Sequence, residues 1–289
     1  MAIGSDCVTW FEGRWHAGNI PILGAADHAT WLGTMVFDGA RAFDGATPDL
    51  DLHCARLIRS AEMMGLEPCA STDELITLCL EGAARMGPGR PLYLRPMMWS
   101  REGMPSMIDP DPEETAFAVC IEDLAFAAPG PFALTMSPFR RPSRDAALND
   151  AKAACHYANN GRIIREAKTR GFNNALSLDQ DGNVAETGSS NVFLVRDGVV
   201  ATPTPNGSFL NGITRQRVIA LLREDGVRVE ETTLLPQDFD TADEIFLTAN
   251  AQKIIAVTRY ETRELKSTAM AARARALYWD YAHQSRRAA

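Results

Sequence analysis

The sequence predicts a mixed α/β protein of two domains. Three observations carry this prediction. The chain has 289 residues, more than one small core needs. Helix-period and strand-like segments interleave along its length. One cluster, Ala127-Ala128-Pro129-Gly130-Pro131, interrupts both patterns and marks a linker. The expected division is an N-terminal α/β domain over 1–126, a linker over 127–131 and a C-terminal domain over 132–289.

The elements follow in order. Val8 to Phe11 and Arg14 to His16 flank Glu12-Gly13, the composition of a hairpin turn. A strand-like stretch lies around Arg41-Ala42-Phe43, after Gly39. Leu50 to Leu66 places Leu52, Ala55, Leu57, Ala61 and Met64 near one helical face. Ser71-Thr72-Asp73-Glu74 has the spacing of a capping box, and Gly87-Pro88-Gly89 ends the helix it opens. Strands are expected over Leu92 to Met98 and Thr115 to Leu124. Beyond the linker, Phe132 to Phe139 reads as extended and Ala153 to Arg170 as helical. Ala175 to Leu178 and Asn191 to Val195 read as buried strands, with turns at Asp181-Gly182 and Asp197-Gly198. A helix over Ile213 to Arg223, strands over Glu244 to Thr248 and Ile254 to Val257, and a helix over Ala269 to His283 complete the chain.

Composition narrows the function. The net charge is −8 and the basic residues are scattered, which argues against a nucleic-acid groove. No apolar run approaches the ~20 residues of a membrane helix. Met1 to Asp6 lacks the regions of a secretory signal. Six widely spaced cysteines suggest reduced thiols, so a cytoplasmic protein is expected. The five histidines lack metal-ligand spacing, and no metal is expected. Gly-x-Gly-x-x-Gly, a phosphate loop ending in Gly-Lys-Ser/Thr, and Gly-x-Ser-x-Gly are all absent. Of the 29 basic residues only four are lysines: Lys152, Lys168, Lys253 and Lys266. Lysine, unlike arginine, can lose its proton and form a Schiff base, so each of the four matters.

Lys152 opens a block in which Tyr157 follows at Lys-x4-Tyr and Glu186 lies in Gly-Asn-Val-x-Glu-x4-Asn-Val-Phe. Further segments fall in order: VFDGARAF (36–43), LHCARL (52–57), LYLRPM (92–97), LNGITR (210–215) and ADEIFLTANAQKI (242–254). From about residue 8 to residue 260 the chain resembles the class IV, fold type IV, pyridoxal-phosphate (PLP) enzymes. These are the branched-chain and D-amino acid aminotransferases and the aminodeoxychorismate lyases. The resemblance implies a small N-terminal α/β domain and a larger C-terminal α/β pseudo-barrel that bears the PLP lysine.

That resemblance assigns roles. Lys152 is the catalytic lysine, bonded covalently to PLP and, once released, the carrier of the proton between substrate and cofactor. Reaching the neutral amine at pH 7 costs an unperturbed lysine about 4–5 kcal/mol, a cost that burial and cofactor charge would reduce. Glu186 faces the pyridine nitrogen and favours the protonated ring. Tyr157 donates to the ring's phenolic oxygen. Arg56 grips the phosphate, and Ile213 and Thr214 offer it a helix N-terminus. Asn250 donates to it from Ala249-Asn250-Ala251, where relatives carry Gly-Thr-Ala.

Phe37 and Arg41 in FDGAR, with Tyr93 and Arg95, resemble the branched-chain enzymes and imply substrate contacts; Ala251 joins them. Tyr93 would hold the substrate α-carboxylate and Arg95 the side-chain carboxylate of glutamate or 2-oxoglutarate. Two features depart from the pattern. Leu32 stands where those enzymes place a tyrosine before Gly-Thr, and Ala125 to Gly130 is short. The expected reaction is ping-pong transfer of an amino group from a branched-chain L-amino acid to 2-oxoglutarate. D-amino acid or (R)-amine transamination, aminodeoxychorismate lyase chemistry, and a binding protein that lost the reaction remain open. The resemblance also implies a homodimer with each active site between the two domains and near the partner subunit.

Overall fold

The computed structural model describes residues 6–285. The chain forms two compact units. The first holds residues 6–126, the segment Ala151–Cys155 and residues 282–285. The second holds Ala127–Asp150 and His156–Tyr281. Lys152, expected in the C-terminal domain, therefore groups with the first unit.

In the first unit, β1 (Cys7–Phe11) and β2 (Arg14–Ala17) form the expected hairpin. Glu12 and Gly13 both have positive φ, 49° and 78°, the signature of a type I′ turn. A short helix α1 (His28–Leu32) precedes β3 (Met35–Phe37) and β4 (Ala40–Ala42). Helices α2 (Leu50–Met63) and α3 (Thr72–Met86) follow, then the long strands β5 (Leu92–Ser100) and β6 (Thr115–Asp123). Ser71 Oγ accepts from Glu74 N–H at 3.2 Å at the start of α3, and Gly87 caps its end. The strands form one antiparallel sheet, β2-β1-β6-β5-β3, with β4 also on β5. Helices α2 and α3 cover it, burying Leu57, Leu75, Leu94 and Ile121 completely. Along β5 burial alternates, so Leu92 and Leu94 face this core while Tyr93 and Arg95 share the other face.

In the second unit, β7 (Ala133–Met136) leads through one 3-10 turn to α4 (Tyr157–Thr169). The strands β8 (Asn174–Leu178), β9 (Val184–Thr187), β10 (Asn191–Arg196) and β11 (Val199–Pro203) come next. Then follow α5 (Ile213–Glu224), β12 (Val229–Thr232), α6 (Pro236–Asp240), β13 (Glu244–Ala249) and β14 (Lys253–Val257). The short strands β15 (Arg259–Tyr260) and β16 (Arg263–Glu264) and the terminal helix α7 (Ala269–Ser285) close the chain. Two five-stranded sheets result, β12-β11-β10-β13-β14 and β16-β15-β7-β8-β9. Their shared core buries Leu134, Leu176, Val192, Leu247 and Val257. Among the described residues no helix is long and apolar enough to cross a membrane, and no cluster of three or more His, Cys, Asp or Glu residues could hold a metal ion.

Candidate active site

In the first unit Lys152 lies in extended chain outside any helix, although a helix was expected from Ala153. Its N–H donates to Ser60 Oγ at 3.0 Å, and its carbonyl accepts from Phe37 N–H at 3.1 Å. The neighbouring Ala153 bridges to Val36. Three backbone ties thus fix the lysine's main chain against β3 and α2. Its Nζ lies 4.9 Å from the centre of the Phe37 ring.

Ser60 also donates to the carbonyl of Arg56, one turn earlier on α2. Arg56 grips Asp38 through Nε at 2.6 Å and Nη2 at 2.9 Å, and His53 Nδ1 approaches the same carboxylate at 2.6 Å. Burial alone would raise the Asp38 carboxyl, but Arg56 and then His53 outweigh it and hold it well below the usual carboxylate range. Arg56 is thereby held rigid, with a buried carboxylate fixing one edge of its guanidinium.

Tyr93 lies opposite Arg41 of β4 and Glu122 of β6. Gly39 makes room for it: a Cβ there would overlap the Tyr93 hydroxyl. Arg41 is fully buried, stacks 4.1 Å from the Phe126 ring centre and donates to the carbonyl of Leu124. Its Nε and Nη1 make no hydrogen bond among the described residues. Burial lowers its pKa to about 10. Arg95, expected to meet a substrate carboxylate, is paired with Glu122, which is itself buried.

In the second unit Glu186 lies on β9 and is 7% exposed. Arg141 Nη2 stands 3.2 Å from its Oε1, and Asn191 Nδ2 donates to its Oε2 at 3.3 Å. Arg141 also donates to Asn160 on α4. Asn160 lies one turn after Tyr157, so the two share a face of α4. Tyr157 is the first residue of that helix and is 38% exposed. Asn191 Oδ1 accepts from Gly212 N–H at 3.2 Å, tying the carboxylate's support to the N-cap of α5.

The first intrahelical bond of α5 runs from Gln216 N–H to the Gly212 carbonyl, so the N–H groups of Ile213 and Thr214 precede it. Such groups, with the helix dipole, suit an anion. Asn250 and Ala251 form the turn between β13 and β14, and Asn250 Oδ1 accepts from Lys253 Nζ at 2.6 Å. The Asn250 Nδ2 is buried and makes no hydrogen bond among the described residues.

The first unit thus offers an anchored primary amine, a braced guanidinium and a tyrosine-arginine pair. The second offers a buried carboxylate and a helix terminus suited to an anion. The sequence reading assigned no role to Asp38, Ser60, Arg141, Asn191 or Lys253. Asp38, Asn191 and Lys253 lie inside quoted motifs and could have been found there, but Ser60 and Arg141 carry no motif.

The family model "Amino-transferase class IV" matches residues 35–260. The branched-chain-amino-acid aminotransferase of Salmonella typhimurium is 30% identical over 262 residues, covering 86% of this chain and 83% of that protein. A Brucella abortus aminotransferase, crystallised with the co-factor PLP, is 51% identical with a TM-score of 0.95, covering 96% of this chain and 99% of that one. A T.th. branched-chain amino acid aminotransferase, complexed with N-(5′-phosphopyridoxyl)-L-glutamate, is 27% identical with a TM-score of 0.87, covering 96% and 94%. The chain belongs to the class IV aminotransferases and is a PLP-dependent transaminase.

Proposed function

We propose that this transaminase moves the amino group of a branched-chain L-amino acid to 2-oxoglutarate. Support for the donor comes from the branched-chain relatives, and support for the acceptor from the glutamate adduct held by the T.th. enzyme. The observation that carries the reading is the Gly39–Tyr93–Arg41 arrangement. A tyrosine hydroxyl sits over a residue without a side chain, beside a buried arginine with two nitrogens lacking hydrogen bonds among the described residues. That chemistry suits a substrate α-carboxylate.

The residues fit PLP as well. A phosphate needs donors: the second unit offers the Ile213 and Thr214 N–H groups and the Asn250 amide, and the first offers the Arg56 guanidinium. When bound, PLP supplies an aldehyde to capture the substrate amine and an electron-poor ring to hold the electrons left at its α-carbon. Lys152 supplies the amine that anchors the cofactor and, once free, moves a proton from the α-carbon. Glu186, supported by Arg141 and Asn191, presents a carboxylate to the ring nitrogen. Tyr157 orients the ring through its phenolic oxygen. Arg95 holds Glu122 through Nη2 and is partly exposed, so its other nitrogens are the ones to meet a side-chain carboxylate. The same reading extends to a cytoplasmic homodimer, an assembly state that sedimentation equilibrium measures.

Side-by-side assays of L-leucine, D-alanine, (R)-1-phenylethylamine and aminodeoxychorismate test the substrate, each amine with 2-oxoglutarate as acceptor. L-Leucine should give the highest kcat/KM; a higher value for a D-amino acid or an (R)-amine would overturn the donor assignment.

A further inference from the structure

Lys253 is the one lysine with no exposed surface among the described residues, and the reaction described above gives it no task. It closes the β13–β14 hairpin, paired with Ala249 across the three-residue turn Asn250-Ala251-Gln252. Its φ is 62°, a conformation that glycine adopts without strain and lysine does not. A buried ammonium needs partners, and its Nζ lies 5.2 Å from the centre of the Tyr278 ring and 2.6 Å from Asn250 Oδ1.

The hydrogen bond to Asn250 also orients that side chain's amide. An ammonium group carries only donors, so the Asn250 atom 2.6 Å from Lys253 Nζ is the amide oxygen. The Nδ2 end is thereby turned the other way, and that nitrogen is buried with no hydrogen bond among the described residues. Buried donors left without an acceptor are rare in folded proteins. Asn191 lies opposite Thr248 in the β10–β13 ladder and accepts from Gly212 N–H. The Asn250 turn and the N-terminus of α5 are therefore at the same end of one sheet. A donor there suits the anion that the helix terminus favours.

We propose that Lys253 is a positioning residue for the cofactor phosphate, fixing the Asn250 amide so that Nδ2 donates to a phosphate oxygen. A threonine hydroxyl, as in Gly-Thr-Ala, can rotate to find that oxygen by itself. An asparagine amide has two unlike ends, and Lys253 selects which one faces the anion. This inference rests on the assignment of the phosphate to Asn250, Ile213 and Thr214.

The test compares PLP with pyridoxal, which lacks the phosphate, by equilibrium binding to the apoprotein followed by absorbance. Lys253→Met should weaken PLP by about tenfold or more, the worth of a hydrogen bond to a charged group, and leave pyridoxal within about twofold. Asn250→Asp keeps the bond to Lys253 but removes the donor, and it should weaken PLP to at least the same degree. Lys253→Met added to Asn250→Ala should cost little more than Asn250→Ala alone. Unchanged PLP affinity in either single variant would overturn the proposal. So would equal losses for PLP and pyridoxal, or full additivity in the double variant. If the wild type bound PLP no more tightly than pyridoxal, the phosphate assignment itself would fail.

Discussion

Arg141 Nη2 stands 3.2 Å from Glu186 Oε1, with side-chain exposures of 6% and 10%. A carboxylate so enclosed needs a counter-charge, and removing one partner of such a pair leaves the other buried and uncompensated. Arg141→Met should therefore destabilise the protein by about 3–5 kcal/mol in urea unfolding. Glu186→Gln keeps the shape but leaves Arg141 uncompensated, so it should lower stability on the same scale. If Glu186 supports the cofactor ring as proposed, the substitution should also lower kcat by about 100-fold or more while the cofactor stays bound. A Glu186→Gln enzyme within a few-fold of wild type would remove Glu186 from the chemistry.

Asp38 sets a second charge balance, in the first unit. Arg56 and His53 hold its folded carboxyl well below the ordinary range against the effect of burial. Its stabilising contribution is complete above the unfolded aspartate pKa of about 3.9 and is lost as pH falls from there through the folded value. Asp38→Asn should cost about 3–5 kcal/mol at pH 7. Below pH ~4 the wild-type and variant stabilities should converge. Urea titrations from neutral to acid pH measure both; parallel curves would show that Asp38 does not carry this charge balance.

Gly39 has an ordinary backbone conformation, and its value is the space it leaves. Gly39→Ala would place a methyl where the Tyr93 hydroxyl now lies, so the tyrosine must move. KM for the amino acid should rise by about tenfold or more, the worth of one hydrogen bond to a carboxylate, with PLP affinity unchanged. Steady-state kinetics beside cofactor titration separate the two. A variant that loses PLP and keeps its KM would contradict the assignment of Tyr93 to the substrate.

Gly212 is the counterpart in the second unit. A Cβ there would overlap Asn191 Oδ1, and Asn191 is what joins Glu186 to the start of α5. Gly212→Ala should weaken PLP and shift the absorbance of the bound cofactor together, because one displaced side chain supports both the ring carboxylate and the helix terminus. A loss of affinity with an unaltered spectrum would show that the two supports are independent.

Much of this was legible in the sequence where local chemistry decides the outcome. The Glu12-Gly13 turn, the Ser71 cap and the helix beginning at Ile213 depend on residues a few positions apart, and they form as expected. Strand β9, which carries Glu186, was not read as a strand. Val184-Ala185-Glu186-Thr187 is short and buried on both faces, so it shows no alternation to read. The α-helix expected from Ala153 begins only at Tyr157: the bridge to Val36 and the bond to Ser60 hold Ala153 and Lys152 out of it, and a 3-10 turn over Ala154–His156 intervenes. The Arg95–Glu122 and Arg141–Glu186 pairs join residues far apart in sequence, and no local pattern announces them.

The central claim is that Lys152 alone among four lysines carries the cofactor. Borohydride reduction of the holoenzyme followed by peptide mapping tests it most directly. The account predicts bleaching of the cofactor absorbance and one pyridoxyl-modified peptide containing Lys152. A stable label on Lys168, Lys253 or Lys266 in its place would contradict it.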